Sequence, residues 1–161
     1  MKTISRNLLL AMAAGNRKQR PTKTPKANTR PRDGVGRELD KASDLYLLRK
    51  LPQCLKAAKA VVRREPNNYW ANILLGHVLA DTGKLKCAHK YYKKAIALKP
   101  KAFHAYEAKA NALFEEGRYE EAEICAKTAL QLAAIRPRRC SNQLELIYDT
   151  LTDSLAQQGK R

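Results

Sequence analysis

Apolar residues recur three and four apart between residues 35 and 136, a spacing that predicts helices and not strands. The helices come in pairs, because the apolar blocks repeat. At an offset of 34 residues Gly83 aligns with Gly117, Leu79 with Leu113, Ala88 with Ala122 and Ala95 with Ala129. The same step backwards carries Leu85 onto Leu51, Ala88 onto Cys54, Ala95 onto Val61 and Pro100 onto Pro66. Small residues (Ala42, Gly76, Ala110, then Cys54, Ala88, Ala122) recur where two helices must approach closely. Leu45, Leu79 and Leu113 fill the space between them. Gly83 and Gly117 read as C-caps of the first helix of their units. Pro66 and Pro100 end the second helix, since the residue before proline is driven out of the helical region. The first unit has no glycine at its turn; Arg49-Lys50-Leu51-Pro52 stands there, with Pro52 suited to the first turn of the next helix.

This pattern divides the chain into three parts. Residues 35–68, 69–102 and 103–136 form three helix-turn-helix units. Residues 137–161 contain one amphipathic helix, from about 141 to 157, with Leu144, Ile147, Tyr148, Leu151 and Leu155 on one stripe. It reads as a cap, because the last unit of a stacked array otherwise exposes an apolar face. Residues 1–34 form a basic N-terminal arm. Ile4, Leu8 and Met12 fall on one face of a short helix, which reads as a docking helix or, with Lys2 and Arg6 before it, as a targeting segment. Residues 16–31 hold no strong apolar side chain and three prolines, so disorder is expected there.

A helix-turn-helix period of 34 residues with these glycines, alanines and prolines resembles the tetratricopeptide repeat family. The middle unit carries the resemblance most fully, through Leu75-Gly76, Leu79, Gly83, Leu85, Ala88, Tyr92, Ala95-Ile96 and Pro100. The resemblance implies an all-α fold, a right-handed α-α superhelix of about three units plus a C-terminal capping helix. It also implies that the first helices line a concave groove for a peptide or helix. The groove positions would include Tyr46 and Leu47, then Trp70, Ile73, Leu74 and His77, then His104, Asn111 and Phe114. Glu107 falls on the same face. Some members of the family clamp a terminal carboxylate of heat-shock chaperones with Lys, Asn and Arg. The matching sites here are Leu39, Ser43, Leu74, His104 and Ala108, which supply none of these. The layout of three units with an N-terminal helix and a cap also looks like the tetratricopeptide chaperones of bacterial type III secretion.

Charge adds a second surface. The net charge is +17, and residues 1–34 alone carry nine basic side chains against one acid. That excess is unlike the secretion chaperones. In the arm, Arg17, Lys18, Arg20 and Lys23 are candidate contacts to an anionic partner. On the second helices, Lys56, Lys59 and Arg63, then Lys86, Lys90 and Lys93, form a ridge with almost no acid near it. Like charges three and four apart destabilise a helix, so the ridge suggests an anionic partner; phosphate backbones are the commonest. Of the interleaved Tyr91 and Tyr92, spacing assigns Tyr92 to the core.

No catalytic chemistry emerges. Cys54, Cys87, Cys125 and Cys140 contain no C-x-x-C pair, and three of them occupy helix positions ordinary for buried thiols. His77 and His104 could meet across the groove, but without a placed carboxylate they make no metal site. Neither a phosphate-binding glycine loop nor a nucleophile elbow is present. The longest uncharged run, residues 67–80, is too short to cross a bilayer. The expected function is a non-enzymatic adaptor or scaffold, without cofactor or metal, that binds a protein segment in its groove and is helped by its basic surfaces. The alternatives are an RNA or ribonucleoprotein-associated repeat protein and a secretion chaperone. A cytoplasmic location is expected, or an organelle if residues 1–34 are a targeting segment. Apolar surface on the first unit and on the cap helix leaves room for a homo-oligomer.

Overall fold

The glycine positions of the repeat become the turns of the fold. In the computed structural model, which describes residues 34–135 and 141–159, Gly83 and Gly117 adopt φ of +77° and +75°. Each turn closes with the same pair of bonds. The Lys84 N–H donates to the Leu79 carbonyl at 2.8 Å and the Gly83 N–H to Ala80 at 2.8 Å. The Arg118 N–H donates to Leu113 at 2.9 Å in the next unit. In the first unit the Lys50 N–H donates to Leu45, also at 2.9 Å, and the residue at the glycine position is Arg49, with φ of +58°. A left-handed conformation costs a non-glycine residue about 1–2 kcal/mol. Here the Arg49 guanidinium reaches Asp81 on the following unit at 2.7 Å.

Seven helices and no strand occur among the described residues. They are α1 (Gly34–Leu47), α2 (Leu51–Arg64), α3 (Tyr69–Asp81), α4 (Leu85–Leu98), α5 (Phe103–Glu115), α6 (Tyr119–Ala134) and α7 (Ser141–Gln157). Successive helices pack as pairs, α1 on α2, α3 on α4 and α5 on α6, while α7 lies against α6 and α5. The all-α expectation therefore holds. The three-unit partition is compatible with these pairs. The readings made for residues 1–33, and for Cys140, lie outside the described residues.

Helix α3 is the centre of the stack. It has no polar face, and residues 71–79 are all buried, as expected of a helix that is apolar all round. Its start is set by Asn68, whose Oδ1 accepts the Ala71 N–H at 3.1 Å. Gly76 lets the Tyr92 ring of α4 lie directly on its backbone; a Cβ built there would overlap that ring. At the other end Ile147 of α7 is buried in one cluster with Leu113, Ala126 and Ala129. The Thr150 hydroxyl ties α7 to Asn111 Oδ1 at 2.8 Å, and Gln158 Nε2 donates to Glu123 Oε2 at 3.2 Å.

Candidate groove and outer ridge

The first helices of the pairs face one side of the molecule and the second helices the other. Contacts join α1 to α3 and α3 to α5 more fully than they join α2 to α4 or α4 to α6. A layer whose members approach more closely lies on the inside of a curve, so α1, α3 and α5 form the inner face.

An aromatic band crosses that face. Tyr69 meets Trp70 edge-on at 4.9 Å, and Trp70 meets His104 edge-on at 5.0 Å. His104 stacks on Phe103 at 3.9 Å. Trp70 and His104 stay partly exposed, whereas Tyr69 and Phe103 are buried beneath them. Leu47, Asn111 and Phe114 are also partly exposed. Phe114 leans on Tyr119 at 5.4 Å, and Asn111 already accepts the Thr150 hydroxyl.

Four of the residues expected to touch a guest lie deeper than the pattern implied. Ile73 and Leu74 have no accessible surface, and Tyr46 and His77 keep only 2% and 5% of theirs. The reason is the small residues on the neighbouring helices. Ile73 packs in a cluster with Ala95 and Ala105, and Leu74 in one with Ala42, Ala108 and Ala112. Alanine at those positions lets the inner helices close up, and the larger α3 side chains fill the seam. Tyr46 and His77 belong to a buried polar chain instead. The Tyr46 hydroxyl donates to Asp81 Oδ2 at 2.9 Å, and Tyr92 Oη lies 3.3 Å from His77 Nδ1. Ser43 turns its hydroxyl back onto the Leu39 carbonyl at 2.9 Å. With Leu74 and Ala108 in the core, nothing at the heat-shock positions forms a carboxylate clamp.

Burial keeps three ionisable side chains of the inner face in their neutral forms near pH 7. Burial pushes the Glu107 carboxyl up to about 8. Both its oxygens are buried without a hydrogen-bond partner among the described residues. Burial pulls His77 down to about 4, against the opposing pull of Asp81. Burial also brings His104 to about 4, helped by its neighbour His77. The sequence pattern placed Glu107 on this face, but its isolation is a tertiary fact. No group of three or more His, Cys, Asp or Glu side chains suited to a metal occurs among the described residues. Burial raises the Cys54 thiol to about 11, with Asp81 adding to the rise, and its Sγ donates to the Ala42 carbonyl at 3.1 Å. Such a thiol is inert at neutral pH.

The outer face differs. Lys56, Lys59 and Arg63 on α2 and Lys86, Lys90 and Lys93 on α4 are all exposed. Among the described residues none of the six enters an ion pair, whereas Arg64 beside them bridges to Glu38 at 2.5 Å. Tyr92 is core, and Tyr91 packs half-buried against the same cluster. On the third pair the sign mixes: Lys127 bridges to Glu123 at 2.6 Å, and Arg118 pairs with Glu121. The arm residues Arg17, Lys18, Arg20 and Lys23 lie outside the described residues.

The model of the tetratricopeptide repeat family matches residues 71–101 and 103–135. No curated protein matches the sequence. Among solved structures, the type III secretion translocator chaperone SycD of Yersinia enterocolitica superposes with a TM-score of 0.73 at 18% identity, over 81% of this chain and 98% of that one. PcrH in complex with the chaperone-binding region of PopD gives 0.73 at 16% identity, over 83% and 99%. The second repeat domain of Spaghetti (RPAP3), bound to an HSP90 peptide, gives 0.58 at 18% identity, over 63% and 94%. At these identities the likeness is one of fold.

Proposed function

Residues 71–101 and 103–135 of this chain are tetratricopeptide repeats, and from that premise we propose that the protein is a non-enzymatic adaptor holding a segment of a partner protein against α1, α3 and α5. The carrying observation is the Trp70–His104 contact, partly exposed at the middle of the inner face and set above His77 and Glu107, which burial keeps neutral. An aromatic-centred surface suits an apolar polypeptide segment, since aromatic anchors dominate interface energetics. The surface available to a guest is Leu47, Trp70, His104, Asn111 and Phe114, with Tyr46, Ile73, Leu74 and His77 shaping it from below.

Within that reading, a chaperone that holds a secreted subunit before export is favoured by one observation. This chain and SycD match over nearly all of SycD, and PcrH, of the same fold, was solved with a segment of its client. A location in the cytoplasm goes with this reading. Among the described residues no helix is long and apolar enough to cross a membrane. A homodimer through the first pair or α7 belongs to the same proposal.

The test compares partners retained by the full chain, by Trp70→Ala with His104→Ala, and by Ile124→Ala on the exposed outer side of α6. Loss of the same polypeptide from the first variant alone, with unchanged melting, supports the groove. Equal retention by all three removes it.

A further inference from the structure

We propose that the outer faces of α2 and α4 are a docking surface for the phosphodiester backbone of a nucleic acid, separate from the groove. Helix α2 (Leu51–Arg64) and helix α4 (Leu85–Leu98) contain no acidic residue. Both pack on α3, as the second helices of adjacent pairs. Lys56, Lys59 and Arg63 follow each other at three- and four-residue steps, as do Lys86, Lys90 and Lys93. Each row thus sets a cation every ~4.5–6 Å along its helix axis. All six side chains are exposed, and no carboxylate within the described residues pairs with any of them. Like charges at these spacings oppose helix formation. An anion lying along the rows relieves that repulsion.

The surroundings choose the class of anion. A protein partner needs buried apolar anchors at the centre of its interface. An amphipathic helix bound to lipid needs large apolar residues to insert. Among the described residues the exposed large apolar ones are Leu48, Ile124, Ile135 and Tyr148, and none lies on α2 or α4. The exposed positions between the cations are Pro52, Gln53, Ala60, Cys87 and Ala97. A phosphate backbone asks only for cations at close spacing and takes its free energy from counterion release. The one partly exposed aromatic side chain on α2 and α4, Tyr91, packs against the core cluster, which makes the contact one to backbone and not to bases, so it is indifferent to sequence.

The test uses the full chain and a fluorescein-labelled uridine 30-mer, with a mixed-sequence DNA duplex of equal length as the second arm. For the uridine strand, six phosphate contacts give a log–log salt slope near −4, so affinity falls roughly 10²–10³-fold between 50 and 200 mM salt. Lys86→Gln, Lys90→Gln and Lys93→Gln together reduce the steepness by about 2, as does the matching triple on α2. A charge-matched control, Lys41→Gln, Lys101→Gln and Lys127→Gln, removes exposed cations lying off the two rows. Larger losses from both ridge triples than from the control support the surface, and the duplex arm tells whether a double strand also fits. Equal losses from the control mean net charge alone and overturn it. Polyglutamate, or vesicles of phosphatidylserine in phosphatidylcholine, bound as tightly as the uridine strand also overturns it. Melting temperatures of the ridge triples are unchanged or raised, so a folding defect does not mimic the result.

Discussion

The centre of the inner face and the outer face of α2 and α4 handle ionisable groups in opposite ways. Inside, Glu107, His77 and His104 are buried deeply enough to be neutral near pH 7. Outside, six basic side chains stand exposed on two helices that contain no acid. Water is what separates the two. A solvated lysine keeps its charge at little cost, whereas a buried carboxyl without a partner keeps its proton instead. Neutral groups on one side and exposed cations on the other make two surfaces of different chemistry.

The largest effect expected from this contrast is on the pH dependence of stability. Glu107 rises from 4.5 to about 8 on folding, so its penalty is absent below the unfolded value and grows as pH climbs to 8. From pH 5 to pH 8 that is on the order of 3 kcal/mol. His77 and His104 drop from 6.5 to about 4, so their penalty appears as pH falls through 6.5. Together the three groups put maximum stability near pH 6.5, checked by urea unfolding across pH. In Glu107→Gln the decline above that maximum should flatten; an unaltered decline would mean that Glu107 is not isolated.

A smaller loss is expected at Gly76. An added methyl meets the buried Tyr92 ring, and overpacking of this kind costs about 1–3 kcal/mol. Gly76→Ala should therefore unfold at lower denaturant, and Gly76→Ala with Tyr92→Phe should not rescue it, since the clash is with ring carbons. Full stability in the alanine variant would show that α3 and α4 are less tightly joined than the geometry requires.

At the first turn the expected change has the opposite sign. Arg49→Gly removes a left-handed cost of about 1–2 kcal/mol and loses an exposed ion pair worth at most about 1 kcal/mol. The net gain is about 0.5–1 kcal/mol in the same unfolding experiment. Smallest of all, Lys59→Gln or Lys90→Gln on the outer rows should shift stability by no more than about 0.5 kcal/mol, and upward. A clear loss from either would mean that the ridge is part of the fold and not a surface held for a partner.

Much of the architecture was legible in one dimension, because helix packing writes itself as spacing. Gly83 and Gly117 take their left-handed turns without strain, and the alanines at the helix crossings had to be small. The same spacing placed Arg49 at the equivalent turn of a unit without the glycine, and the structure shows that it adopts the left-handed turn all the same. The outer lysines were equally visible, since a run without acids needs no partner to be recognised.

Periodicity determines which side of a helix a residue occupies, and so the sequence alone settled the helices, their turns and the sign of the outer surface. It carries no information on how far two helices close upon each other. Only the packed stack decided that Ile73 and Leu74 lie in the seam, that Trp70 and His104 reach the surface, and that Glu107 is left without a partner. Burial depends on the side chains facing a residue from other helices, and those neighbours are distant in the chain.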